Sequence, residues 1–526
     1  MADTKQTEIE TYGDLPQKKA MVLLLSIMVV ALCGIVYELI IATVSSYLLG
    51  NSVYQFSLTI GFFMFAMGVG AYVSRFIGMR LIQAFVWVEM ALALVGGVCS
   101  ITLFMIFPFS PWLFQTANIA FIFVIGLLVG LEIPLLTRVL AERKGTRRSI
   151  ADVMSLDYVG ALIGSVAFPL LLLPSLGLVA SSFVIGLINM LVAFMNVVWL
   201  RQYLQRPRLM LVAVSAVLCL LIGLTAMASR ITAFAQQHLY FDQIIWQKQT
   251  PYQKLVLTNE WPKGDLRLFI DGHIQFSALD EHRYHEALVH PPMGWTGRHE
   301  TILVLGGGDG LAVREILKHP TVQHIDLVDI DPDMTRLGKS FPPLVELNRQ
   351  SLSDAKVHVY NQDAFVFVRQ SARKYDRVII DFPDPHNEAI SKLYSVEFYA
   401  LLSKAMSEDA VLVTQSSSPF FARRTFWSIE KTLSAIFPKT TSYTVTVPAF
   451  GIWGFHMAHK NSRGSLEKIP SDLKFLTKEV FGASRVFSSD ISKPQGLSVN
   501  SIFKPNLYQV YLEDLKKGPV AASTAM

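Results

Sequence analysis

The sequence predicts a two-part fold: an N-terminal α-helical transmembrane bundle of about seven helices, then a C-terminal α/β doubly wound domain with a small β-hairpin preface. Three observations lead there. Apolar runs follow one another from Met21 to about Ser229. Charged residues return at ordinary density from Arg230. Beyond Pro292 the pattern becomes strand, glycine turn, helix, strand. The overall figures of 52% hydrophobic and 17% charged residues average these unlike parts.

The bundle comes first. A spanning helix needs roughly 20 mostly apolar residues, and candidates lie near residues 20–42, 55–76, 83–106, 114–138, 156–174, 178–200 and 209–229. The fifth and sixth meet at the turn Pro174-Ser175-Leu176-Gly177. The first is read as a retained helix: it is too long for a signal-peptide h-region, follows a polar tail over 1–19, and has no small-residue cleavage site after it. Lys18 and Lys19, Arg75 and Arg80, Arg138 to Arg148, and Arg201 to Arg208 mark alternate connections, so the positive-inside rule puts the N-terminus in the cytoplasm of a multi-pass cell-membrane protein. An odd number of spans then carries the second domain to the far side, unless one segment is re-entrant. Glu38, Glu89 and Glu132 fall in or near apolar runs, where a carboxylate serves either interhelical hydrogen bonding or a cation path.

Next comes an amphipathic connector around Ala233 to Gln249, and then Leu255 to Phe276, which alternates apolar and polar residues around Asp271-Gly272. That dipeptide suits a type I′ hairpin turn. Parallel-sheet strands are expected at Thr301–Leu305, Ile325–Ile330, Val357–Tyr360, Arg377–Ile380 and Ala410–Thr414, with helices over Leu311–Lys318 and Val396–Met406. The expected organisation is a tail (1–19), a membrane domain (20–229), a linker and small antiparallel subdomain (230–292), a catalytic domain (293–465) and a C-terminal extension (466–526). Cys33, Cys99 and Cys219 all lie in apolar runs, which points away from a metal cluster or disulfide framework. The net charge of +5 is not gathered with aromatics on any one face, so nucleic acid is not an expected partner.

Ligands of open parallel sheets sit past the carboxyl ends of the strands, and acidic residues recur there. The first strand is followed by Gly306-Gly307-Gly308-Asp309-Gly310, whose glycines let backbone approach a ligand. Asp309 would repel a pyrophosphate, and could equally cap the next helix. Asp329 follows about 20 residues later, the spacing of a ribose-binding carboxylate. Asp363 stands where it could meet an adenine amino group or cap a helix. Asp381 and Asp384 lie in Asp381-Phe382-Pro383-Asp384-Pro385, a site or a turn. Together these carboxylates, with no basic partner nearby in sequence, describe a cleft that wants a cation.

Over about Tyr240 to His459 these residues resemble the polyamine aminopropyltransferases of the spermidine synthase kind. The resemblance rests on Tyr252-Gln253, Asp280 to Glu286, Gly306 to Gly310, Asp329, Gln362-Asp363-Ala364 and Asp381-x-x-Asp384-Pro385. It implies a Rossmann-like, methyltransferase-type sheet and aminopropyl transfer from decarboxylated S-adenosylmethionine, a co-substrate, to putrescine, with no tightly bound cofactor and no metal. Gln253, Asp329, Asp363 and Ala364, with Gly306 and Gly308, would hold the donor; Tyr284, His285, Asp309 and Asp384 would border the amine; Asp381 would be the proton acceptor. The lipid bilayer is a further expected partner, and a homo-oligomer is compatible with the pattern. His386 to Ile390 replace the family's Gly-Pro-Ala type loop, and Phe450 stands where Tyr is frequent, both on the diamine side. The competing readings are a methyltransferase, and a membrane polyamine transporter or sensor whose second domain only binds.

Overall fold

The computed structural model describes residues 15–49, 52–237, 240–260, 264–461 and 464–521. Most of the expected tail over 1–19 therefore lies outside the described residues. The chain forms two compact units, Met1–Phe241 and Asp242–Met526.

The first unit is helical: α1 Gln17–Leu49, α2 Ser52–Val73, α3 Leu81–Ile106, α4 Pro111–Lys144, α5 Thr146–Ala167, α6 Leu173–Trp199 and α7 Pro207–Ala226. Six helical stretches among the described residues are long and apolar enough to cross a membrane. One of them, Thr146–Trp199, runs for 54 residues; straight, it would measure about 80 Å against a hydrocarbon core of about 30 Å. It is not straight. Gly177, at φ 73° and ψ −177°, breaks the helix, and the neighbours of α1 show the result. Gly160 and Gly164 of α5 abut Met28 and Leu32, in the same chain direction. On α6, Asn196 bonds Ser26 and Ile185 meets Cys33, in the opposite direction. The chain thus reverses between α5 and α6. Small residues make the close approach possible: a Cβ on Gly160 would stand 2.0 Å from the Met28 carbonyl oxygen.

Glu89 is fully buried and accepts from Asn196 Nδ2 at 3.1 and 3.3 Å, an interhelical hydrogen bond. Arg138 donates to the Ser74 carbonyl at 3.1 Å.

In the second unit, β1 Gln243–Gln249, β2 Lys254–Glu260, β3 Asp265–Ile270 and β4 His273–Ser277 make an antiparallel meander. The amphipathic connector is therefore part helix (Ala228–Gln237) and part edge strand. Asp271 and Gly272 take φ 49° and 83°, as a type I′ turn requires. The larger sheet holds β5 Thr301–Gly306, β6 His324–Val328, β7 Val357–Tyr360, β8 Tyr375–Asp381, β9 Met406–Gln415, β10 Lys439–Val447 and β11 Gly451–His459, in the order β10-β11-β9-β8-β5-β6-β7.

β5 to β9 are mutually parallel, but β11 is antiparallel to β9 and β10 to β11. The sheet is thus mixed where the strand–helix alternation predicts a parallel one. A short turn, Pro448 to Phe450, joins the last two strands, and so short a link can only connect antiparallel neighbours. The centre is dry: Ile302 to Leu305 and Val378 to Ile380 are fully buried. β6 ends at Val328, and three residues on Asp331 caps the helix Pro332–Ser340, accepting from Asp333 N.

Candidate active site

The carboxyl ends of β5, β6, β7 and β8 open into one cavity of about 510 Å³, lined among others by Gln253, Tyr284, His285, Asp309, Asp329, Asp363, Ala364, Asp381 and Asp384. The glycine turn after β5 forms its floor. Gly306 pairs with Asp381 across the ladder, and a Cβ there would fall 2.2 Å from the Asp381 carbonyl oxygen. Gly308 N donates to Asp329 Oδ2 at 3.0 Å, and a Cβ on Gly308 would reach 2.5 Å from that oxygen. Asp329 Oδ1 accepts from Asp331 N at 2.9 Å. Burial pushes the Asp329 carboxyl up to about 7 despite these amides.

At the end of β8, Asp381 Oδ1 accepts the Tyr284 hydroxyl at 2.5 Å. Burial pushes Asp381 up to about 6; the charge of His285 works against that push and the charge of Asp309 adds to it. Tyr284 and His285 come from the helix Glu281–Met293, whose first turn supplies Glu281. His285 Nδ1 lies 2.8 Å from Glu281 Oε2, and Arg314 grips the same carboxylate with both Nη atoms at 2.9 and 2.8 Å. Burial alone would lower the His285 pKa, but the bond and charge of Glu281 hold it above the ordinary value. Glu281 itself is drawn down to about 2: burial opposes this, and the bonds to His285 and Arg314 outweigh it. Asp309 Oδ1 accepts from Leu311 N at 2.8 Å, and burial raises its carboxyl, with His285 opposing.

Asp363 does two things at once. Its Oδ1 caps the helix Ala364–Gln370 through Phe365 N at 2.7 Å, and its Oδ2 pairs with Lys392 Nζ at 2.8 Å. Its pKa falls, burial being outweighed by the Lys392 bond and charge. No basic partner stands near Asp363 in sequence; the fold supplies one by returning Lys392 from 29 residues further on. Gln253 lines the cavity with its amide nitrogen committed to Asp331 Oδ2 at 3.0 Å.

Asp384 is surrounded by residues that sequence reasoning did not single out. Its Oδ2 accepts from Ser417 Oγ at 3.0 Å and the Tyr511 hydroxyl at 3.1 Å, and Gln415 Nε2 stands 3.4 Å from Oδ1. Burial raises the Asp384 carboxyl, and these donors draw it back. Ser417 holds a left-handed φ of 66°, a strained position for a non-glycine residue. Phe450 meets Tyr284 edge-on at 6.0 Å, and its turn is held by Ala449 N donating to Asp280 Oδ2 at 2.6 Å. Glu281 sits inside a recognisable motif and could have been found there. Lys392, Ser417 and Tyr511 carry no local signal.

The family model of the spermine/spermidine synthase domain matches residues 281–468. The chain is 43% identical over 472 residues to a polyamine aminopropyltransferase of Leptospira interrogans, covering 90% of this chain and 94% of that one. It is 42% identical over 479 residues to polyamine aminopropyltransferase 1 of Streptomyces coelicolor, covering 89% and 90%. A crystal structure of spermidine synthase in complex with the transition-state analogue AdoDATO aligns with 47% of this chain and 86% of its own, at 26% identity and a TM-score of 0.43. Identity with the Leptospira and Streptomyces proteins spans the helical unit as well as the acidic cavity, and the chain belongs to the polyamine aminopropyltransferase family.

Proposed function

We propose that Asp381 is the general base with which this aminopropyltransferase turns putrescine and decarboxylated S-adenosylmethionine into spermidine and methylthioadenosine. The amine nitrogen attacks the aminopropyl carbon beside the sulfonium; the C–S bond breaks, its electrons stay on sulfur, and the amine proton passes to Asp381 Oδ. One observation carries the assignment: Asp381 is half-buried at the cavity wall, where desolvation raises its basicity to about 6. Moving a proton from an ammonium of pKa ~10 to a carboxylate at 6 costs about 5 kcal/mol, against about 8 for an ordinary aspartate. Burial thus removes about a third of the penalty.

Asp329, with both oxygens already oriented by backbone amides, suits ribose hydroxyls, and Gly306 and Gly308 leave room for the donor beside it. Asp363 and Ala364 border the adenine end, and Gln253, bonded to Asp331, borders the donor beside Asp329. Tyr284, His285, Asp309 and Asp384 border the amine, where the carboxylates favour both the diammonium acceptor and the sulfonium. The same carboxylates would repel a methionine carboxylate, which favours the decarboxylated donor over S-adenosylmethionine.

Asp381→Asn is expected to lower kcat by about 10²–10⁴-fold while donor affinity, read by calorimetry, stays within about twofold. Undiminished turnover removes the base assignment. Offering both donors and following methylthioadenosine against S-adenosylhomocysteine separates transferase classes, and release of the latter alone overturns the reading.

For the helical unit, six apolar stretches with a reversal at Gly177 support seven crossings of a cell membrane. The positive-inside rule then sets the N-terminus in the cytoplasm and the residues after α7 on the opposite side.

A further inference from the structure

The wall of the cavity beside Asp384 is built by chain that lies beyond the family match. That match ends at residue 468, yet Tyr511 and Leu515, on the helix Leu507–Ala521, both line the cavity. Tyr511 is 5% exposed, with its hydroxyl on Asp384 Oδ2.

The helix is firmly placed. Leu507, Tyr508 and Val510 are buried. Asp514 Oδ2 accepts from both the backbone N and the hydroxyl of Thr425 at 2.9 Å. Ahead of the helix, Asn500 Nδ2 donates to the carbonyls of Ser391 at 2.8 Å and Tyr394 at 3.1 Å. Residues four apart share a helix face, so the docking that seats Tyr511 against Asp384 also turns Leu515 toward the cavity mouth.

We propose that Tyr511 and Leu515 set which amine this enzyme accepts. Tyr511 acts as a positioning residue for Asp384, and Leu515 limits the length of the acceptor chain. The inference rests on the reading above, in which the acceptor's reacting nitrogen lies at Asp381 and its distal ammonium at Asp384. Both carboxylates are held by hydrogen bonds from the cavity wall, Asp381 by Tyr284 and Asp384 by Ser417, Gln415 and Tyr511. The span between them is therefore a ruler for the methylene chain. Loss of the Tyr511 hydroxyl frees one side of Asp384 without emptying the wall, whereas truncation of Leu515 adds space for one more methylene.

The test uses the purified full-length protein with decarboxylated S-adenosylmethionine and either putrescine or cadaverine, comparing wild type, Tyr511→Phe, Leu515→Ala and the control Tyr508→Phe. The control removes a buried hydroxyl from the same helix away from the cavity. Tyr511→Phe is expected to raise KM for putrescine about tenfold, the scale of one hydrogen bond to a charged group, leaving KM for the donor within about twofold. Tyr508→Phe should move neither. Leu515→Ala should raise the cadaverine-to-putrescine ratio of kcat/KM by at least about fourfold, the worth of burying one methylene. The proposal is overturned if Tyr511→Phe changes both KM values alike or neither, or if the Leu515→Ala ratio stays at the wild-type value. Absence of methylthioadenosine from wild type with either diamine would instead defeat the underlying reading.

Discussion

Asp381 shows how burial and charge divide the control of one proton. Burial pushes its carboxyl to about 6, against the opposing charge of His285, which Glu281 and Arg314 hold in place from behind. The base is the ionised form, present above that value. The kcat/KM for putrescine should therefore fall with unit slope as pH drops through about 6, rather than near ~4 as for an unperturbed aspartate. A pH profile whose acid limb sits near 4 would show that the raised carboxyl does not govern the reaction. Asp363 runs the other way: Lys392 outweighs burial and keeps it ionised and already paired.

The elements explain why small residues stand where they do. The turn after β5 brings Gly308 against Asp329, so Gly308→Ala forces a Cβ to within 2.5 Å of a carboxylate oxygen that the Gly308 amide itself holds. We expect this variant to raise the donor KM at least about tenfold, the scale set by disturbing a hydrogen bond to a charged group, with little change in KM for the diamine. Equal effects on both substrates would place the damage in the fold rather than at the donor site. The acidic ends of β5, β6 and β8 were legible because a parallel sheet puts its loops on one edge, whatever its length. The β10–β11 hairpin was not, since antiparallel closure depends on a short turn rather than on a strand–helix rhythm. The hairpin nonetheless matters to the site, for its turn carries Phe450 to Tyr284.

At the scale of the whole molecule, a unit whose helices are long and apolar enough to cross a membrane and a unit that holds an acidic cavity share one chain. With seven crossings, alkaline phosphatase fused after residue 526 should be active, since that enzyme folds outside the cytoplasm; an inactive phosphatase together with a fluorescent cytoplasmic-type fusion would require one segment to be re-entrant. By itself the sequence determined the division into apolar and polar parts, the positions of the central strands along the chain and the carboxylates past their ends. Each of these depends on composition or short-range periodicity, and so can be read locally. Only the tertiary structure decided that β11 joins β9 antiparallel, that Lys392 neutralises Asp363, and that Tyr511 reaches Asp384 from 127 residues away. Those contacts arise from packing between segments far apart in the chain, where no spacing rule applies.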